Sequence, residues 1–548
     1  MSTETERREE REERGAPDQG DGRGGYAARE EGGGPDVPAT PSGVRRVWLG
    51  RLLAPVLAVL TYFLLPGDDP ALSNAARTTA AVAVLVAVWW MTEALPLPVT
   101  SLVPIVAFPF LGVLPIGDAT APYASPTVFL FLGGFVIALA MQKWNLHRRI
   151  ALLVMRAIGT KPKQLILGVM IATGFLSMWV SNTATTLMML PIGVSVLALV
   201  IGKRTGVDPA KAEGPVSELA EDKDTRNFAT CLMLAIAYAA TIGGLATLIG
   251  SPPNLIMKGF VEQNYDTTIS FAAWMKVGVP LAVVFLLVAW LLLTRVIYPT
   301  GLKDVVGGKE VIQQEIDKLG RMSRGEWNVL AVFTLAALLW VFKEPLSGWS
   351  ALTTVLPFMA NLSDEAVAIA AVVALFLIPV AARRGEMTMD WRTAQSGVPW
   401  GVLLLFGGGL SLAKGVQETK LSEWIGTKMG GLEALPTVLL IAVVCLIILA
   451  LTELTSNTAT ASTFLPVLGG VAIGIGIDPL LLLAPAALAA TCSFMLPVGT
   501  PPNAIVFGSG HVTMGQMIRG GIWLNLVGVL LITAAIMLLG GWALGVRF

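Results

Sequence analysis

Two short stretches of this chain carry the same polar signature inside apolar sequence. VSNTATTLMMLP occupies residues 180–191 and TSNTATASTFLP occupies residues 455–466. Each is followed by a proline pair and an Asn: GSPPN at 250–254 and GTPPN at 499–503. A third match precedes them, FLGGF at 131–135 against LFGGG at 405–409, so the three signatures recur in the same order in both halves. Hydroxyl and amide oxygens are hard ligands suited to a small cation. A proline pair removes N–H donors and prevents a continuous helix, freeing carbonyls on one side of the break and N–H groups on the other. Freed N–H groups at a helix start attract anions. The residues are therefore of the types that could hold a cation and an anion side by side.

The charge inventory sharpens this. Neither SNT nor either PPN motif has a Lys or Arg close by; Lys258 is nearest, four residues after Asn254, and is expected at the membrane surface. An anion bound here lacks a covalent counter-charge, and an isolated buried charge is expensive. Compensation then falls to helix ends and bound cations, which gives a physical reason for coupling the two. Glu453 is the one acid beside a motif. It reads either as a structural carboxylate bonded to nearby hydroxyls and N–H groups, or as a cation ligand or proton-coupling group.

The elements that must position these residues are membrane helices. The 548 residues are 54% hydrophobic and 14% charged, against about 25% charged in soluble domains, and the mean hydropathy is +0.70. Apolar runs of about 20 residues, enough to cross a bilayer as helices, recur along the chain. Formal net charge is zero, which gives no hint of nucleic acid or another polyanion as partner. Cys231, Cys445 and Cys492 lie in apolar segments with no metal or redox spacing and read as small buried hydrophobes. His147 and His511 lie far apart in sequence, near segment ends. Residues 1–42, rich in Glu, Arg and Gly without an apolar core, read as a disordered cytoplasmic tail rather than a signal peptide.

Spans are expected at 47–66, 75–94, 97–114 and from 126, followed by an amphipathic interfacial helix over 147–159. Then come a block at 164–201 broken by SNT, one at 227–258 broken by GSPPN, and a span at 273–298. A charged cytoplasmic loop, 299–325, divides the chain. The second half offers spans at 326–343, 363–382 and 397–415, broken blocks at 433–475 and 479–508, and a last span at 517–545.

Lys and Arg near span ends set orientation. Residues 141–163 hold six bases and no acid, and the loop 202–226 carries five more bases. Both belong in the cytoplasm only if 164–201 enters and returns without crossing. It is therefore expected to be a re-entrant hairpin, and 433–475 its counterpart from outside. The expected fold is an all-α polytopic membrane protein with eleven transmembrane helices and two re-entrant hairpins. The first helix, 47–66, stands outside an inverted repeat of 75–298 against 326–545. The N-terminus is inside, the C-terminus is external, and the location is the cell (inner) membrane. Inverted repeats with paired broken helices point to a secondary transporter with a midplane site.

These motifs resemble the divalent anion–sodium symporter family over residues 45–548. The resemblance implies a homodimeric elevator, in which a transport domain of both hairpins and the broken spans slides against a scaffold of the early spans of each half. It implies a first sodium site of Ser177, Ser181, Asn182 and the Gly250 backbone, and a second of Thr452, Thr455, Asn457 and the Gly499 backbone. Substrate carboxylates would meet Ser181, Asn182 and Thr183 from one hairpin and Ser456, Asn457 and Thr458 from the other, with Ser251, Thr500 and Pro501 lining the pocket. The implied activity is sodium-coupled uptake of a C4-dicarboxylate (succinate, malate or fumarate), with Na+ as coupling ion and no organic cofactor. Alternatives are a sodium-independent dicarboxylate exchanger, a citrate or sulfate carrier on the same fold, and a cation–proton antiporter. No HExxH, Walker sequence or nucleophile–base pair suggests an enzyme.

Overall fold

A computed structural model describes residues 41–159, 161–205, 222–302, 308–428 and 435–548. The expected disordered tail lies outside these up to residue 40. The described chain is helical apart from one two-stranded antiparallel hairpin, β1 Pro379–Ala381 with β2 Glu386–Met387. It begins with α1 (Pro41–Leu64), α2 (Asn74–Thr92), α3 (Leu97–Thr100), α4 (Val103–Phe110) and α5 (Ile116–Thr120). Next are α6 (Pro126–Lys143), α7 (Leu146–Ile158), α8 (Pro162–Ser177), α9 (Asn182–Thr205), α10 (Lys223–Gly243), α11 (Pro252–Tyr265) and α12 (Phe271–Leu291). The rest comprises α13 (Gly308–Leu319), α14 (Arg324–Gly348), α15 (Ser350–Val355), α16 (Asp364–Leu377), α17 (Trp391–Gly397), α18 (Trp400–Glu418) and α19 (Leu421–Lys428). It closes with α20 (Thr437–Thr452), α21 (Asn457–Gly474), α22 (Leu480–Thr491), α23 (Pro501–Gly508) and α24 (Met514–Leu544).

Among the described residues, seven helices are long and apolar enough to cross a bilayer, or eight counting the pair α17–α18, bent by 58°. This is a multi-pass membrane protein. Five shorter apolar helices, including α8, α20 and α22, lie between them. They are short because each is interrupted beside an SNT or PPN motif or a proline. α8 gives way to α9 at residues 178–181, and α20 to α21 at 453–456. α11 and α23 each start on the first Pro of their motif, where the missing N–H costs nothing and the ring pre-sets φ.

Two local features differ from the sequence reading. The expected span 97–114 divides into α3 and α4 at Ser101–Leu102, two residues ahead of Pro104. The charged loop 299–325 contains α13, whose Ile312 is buried. Ile312, Ile316 and Leu319 fall at helical spacing, a stripe the charges around it obscured. α13 packs on α7, and Arg148 on α7 pairs with Glu315 on α13. The adjacent Arg149 reaches Glu326 at the start of α14 at 2.6 Å.

Two groups of helices each pack internally and meet along α11 and α18. α6, α14 and α16 lie on one another; a Cβ built on Gly133 of α6 would stand 2.6 Å from Ala368 Cβ of α16, so only Gly permits this approach. The segments around the motifs form the other group: α10 packs on α8, α9 and α23, while α11 packs on α21 and α22. Each half's proline-broken segment thus touches the other half's SNT segment.

Candidate functional site

The first cluster forms where α8 ends, α9 begins and the chain between α10 and α11 passes. The Asn182 amide faces three oxygens: Ser177 Oγ, Ala240 O and Gly250 O, at 2.6, 3.0 and 3.3 Å. Two species satisfy such a ring. One is the amide turned so that Nδ2 donates into it; the other is a cation ligated by the ring and by Asn182 Oδ1. The loop 244–251 is braced from both sides. Thr247 Oγ1 donates to Met178 O in the α8–α9 turn and accepts from Gly250 N at 3.1 Å. Asn254 Nδ2 donates to Gly244 O at 3.0 Å and Thr247 O at 2.9 Å. Gly250 is required here, since a Cβ would lie 2.7 Å from Gly244 O.

The second cluster repeats the first. The Asn457 amide faces Thr452 Oγ1, Ala490 O and Gly499 O at 2.7, 3.1 and 3.0 Å. Asn503 Nδ2 donates to Ser493 O and Leu496 O, both at 3.1 Å, as Asn254 does to its own loop. The brace differs. Where the first half uses Thr247, the second uses Glu453. Its carboxylate accepts from Phe494 N at 2.8 Å, Met495 N at 3.0 Å, Leu496 N at 3.0 Å, Ser493 Oγ at 2.9 Å and Asn525 Nδ2 at 2.7 Å. Of the two readings offered for Glu453, this is the structural carboxylate, held by backbone N–H groups and neighbouring side chains.

The clusters meet. Ser251 Oγ, at the start of α11, lies 2.9 Å from Thr491 Oγ1, at the end of α22, and Thr491 O lies 3.4 Å from the Asn457 side-chain amide. The N-termini of α9, α11, α21 and α23 therefore gather around one region. Each carries roughly half a positive charge from its aligned peptides. The reciprocal contact is missing: Thr500 Oγ1 is buried with no hydrogen-bond partner among the described residues, while Thr241 donates to Ala237 O in its own helix.

The structure thus brings together Ser177, Asn182, Gly250 and Ser251 in one cluster, and Thr452, Asn457 and Gly499 in the other. It does not bring the Thr455 hydroxyl to the second cluster. That group donates to Leu451 O and lies 2.6 Å from Thr460 Oγ1, because it sits in the turn between α20 and α21 and bonds to the last turn of one and the first turn of the other. Ser181 Oγ accepts from Ala184 N at 3.3 Å, at the start of α9. Ser456 is the residue before α21, and Pro501 is the first residue of α23. Thr183 and Thr458 are buried in the first turns of α9 and α21.

Sequence reasoning left the bracing roles of Asn254 and Asn503 and the Ser251–Thr491 link unassigned. A signal for the last was present. AAT recurs at 239–241 and 489–491, and it supplies Ala240 O, Ala490 O and Thr491. Lys258 also departs from expectation. It is 2% exposed rather than at the surface, because Glu262 and Glu365 both pair with it.

The comparisons with known proteins bear on this geometry. A family model described as the sodium:sulfate symporter transmembrane region matches residues 46–546. The chain belongs to that family. It is 41% identical over 500 residues to the sodium-dependent dicarboxylate transporter SdcS of Staphylococcus saprophyticus, covering 91% of this chain and 92% of that one. It is 42% identical over 487 residues to SdcS of Staphylococcus aureus strain USA300, covering 88% and 89% of the two chains. Among solved structures it resembles Neisseria gonorrhoeae MtrF, with a TM-score of 0.54 at 12% identity over 92% of this chain and 96% of that one. It also resembles the Alcanivorax borkumensis YdaH transporter, with a TM-score of 0.52 at 13% identity over 92% and 99%. At such identities the last two speak for the fold alone.

Proposed function

We propose that this chain is a transporter, not an enzyme, and that it couples sodium entry to uptake of C4-dicarboxylates such as succinate, malate or fumarate. The observation that carries the proposal is the pair of mirrored oxygen rings around Asn182 and Asn457, set among four helix N-termini. The rings suit small cations. The helix starts suit an anion, and with no Lys or Arg at either motif the cations supply the charge that makes a di-anion bearable in the bilayer. The dicarboxylate class is favoured by the SdcS relatives, whose names give sodium dependence and dicarboxylates as their traits.

In this reading the first sodium site is Ser177, Ser181, Asn182 and Gly250, and the second is Thr452, Asn457 and Gly499 with the Thr455 backbone. The substrate lies between the two SNT turns and against Ser251, Thr500 and Pro501. The long and short apolar helices together make up eleven spans and two re-entrant hairpins, with the N-terminus cytoplasmic and the C-terminus external. The group holding α8–α11 and α20–α23 moves as an elevator against the group holding α6, α14 and α16, in a homodimer.

A second reading, sulfate as the carried anion, is favoured by the description of the family. Reconstituted protein given labelled succinate separates the cases. Uptake under inward sodium but not under choline supports the symporter. Uptake needing only internal succinate makes it an exchanger. Sodium-driven uptake of sulfate and not succinate moves the substrate assignment to sulfate.

A further inference from the structure

Lys258 lies one helical turn after Asn254 on α11, on the same face as the residue that braces the Gly250 loop. Its ammonium is buried between two carboxylates. Glu262 Oε1, one turn further along α11, is 2.7 Å away. Glu365 Oε1, in the first turn of α16, is 2.9 Å away. Both distances are those of charge-assisted hydrogen bonds. Glu262 also accepts from Thr127 Oγ1 of α6 at 3.1 Å, so the cluster bridges α11 to both α6 and α16.

The two carboxylates are equivalent in distance but not in attachment. Glu262 is carried on the same helix as Lys258 and stays beside it wherever α11 goes. Glu365 belongs to the group in which α6 and α16 are pressed together at Gly133 and Ala368. A buried ammonium that lost all its partners would face a large desolvation penalty. One that keeps a partner on its own helix can leave the other at much lower cost.

Resting on the transport reading above, we propose that Lys258 is a positioning residue: Glu262 is its permanent partner and Glu365 its conditional one. The Lys258–Glu365 contact closes in the arrangement described here and opens when α11 carries the Asn182 cluster past α6 and α16. The contact sets which position the site occupies without touching the substrate.

The test compares Glu365→Gln with Glu262→Gln in proteoliposomes. If the contact opens in every cycle, Glu365→Gln retains turnover within about threefold of wild type. Glu262→Gln, which strips Lys258 of the carboxylate on its own helix, lowers turnover tenfold or more, with the KM for succinate unchanged in both. Glu262→Asp, which keeps the charge, restores most of the rate and guards against a folding defect in the Gln variant. A fixed structural cluster would make the two Gln variants alike. A second readout needs no substrate. A cysteine replacing Thr127, a residue buried at this contact, is labelled by a maleimide faster when Glu365→Gln is added. Equal losses, a larger loss in Glu365→Gln, or labelling not accelerated by Glu365→Gln overturns the proposal. Failure of wild type to take up either succinate or sulfate instead defeats the transport reading, and the labelling arm still decides the contact.

Discussion

The hydroxyls of Ser251 and Thr491 sit 2.9 Å apart, joining the proline-broken segment of one half to that of the other. The counterpart of this bond between the matching motif residues is not made, since Thr500 Oγ1 has no partner among the described residues. Two motifs that are near copies in sequence thus end in different hydrogen-bonding states, one hydroxyl spent on the fold and one held in reserve.

That difference separates stability from binding. Ser251→Ala removes a hydrogen bond worth about 1 kcal/mol net and should lower the melting temperature of ligand-free protein by a few degrees. Thr500→Val removes a buried hydroxyl with no partner among the described residues, so it should leave ligand-free stability equal or higher. If the reserved hydroxyl meets a substrate carboxylate, the same variant raises the KM for succinate about tenfold. Thermal unfolding without ligand and uptake kinetics, measured on both variants, give the two readouts.

Asn182→Ala and Asn457→Ala each remove the amide at the centre of an oxygen ring. Both should abolish sodium-driven uptake, and each should reduce the stabilisation that sodium confers on the purified protein. Ligand stabilisation grows with the logarithm of concentration over Kd, so a titration of melting temperature against sodium reports on the rings even where uptake is zero. An unchanged titration in either variant would remove that Asn from the ion site.

Glu453→Gln tests the brace of the second loop. The carboxylate accepts from three backbone N–H groups and two side chains, while an amide offers one oxygen and turns an NH2 against donors. The expected loss is about 2–4 kcal/mol, in the range for breaking a buried charged network. The first half needs no such acid, because Thr247 reaches the Met178 carbonyl directly. Thr247→Val should therefore cost less, about 1 kcal/mol, as read by thermal unfolding of the two variants side by side.

Much of this site could be read before the fold was seen, and the reason is repetition. SNT and PPN name residues whose types are expensive in a bilayer unless used, so their double occurrence marked Asn182, Asn457, Gly250 and Gly499 as elements of a site. Apolar runs of about 20 residues placed the expected spans, and α2, α12 and α24 fall on three of them. What stayed hidden depends on packing between elements distant in sequence. Glu453 meets residues 493–496 only after two helices fold back, and nothing local in TELTSN says which N–H groups it will find. Lys258 looked like a surface base because a Lys near the end of a span ordinarily snorkels. Its burial is decided by Glu365, 107 positions away. Helix α13 was hidden for another reason: charges on its exposed face outweigh buried Ile312 and half-buried Ile316 and Leu319 in any average over the loop.

The packing of α7 should depend on pH through His147. The ring is buried, its Nδ1 lies 2.8 Å from Met141 O, and burial, opposed by this bond, pushes its pKa down to about 4 from 6.5. Between about pH 6.5 and 4 the unfolded chain takes up a proton that the folded chain refuses. The unfolded state then binds more protons, so stability falls as pH drops through this window and is fully present above pH 6.5. His147→Gln keeps a donor for Met141 O and removes the titration. Melting temperature plotted against pH should therefore slope less steeply between pH 4 and 6.5 in this variant than in wild type and match it in slope above pH 7. Parallel curves throughout would show that His147 is protonated in the folded protein as readily as in the unfolded one.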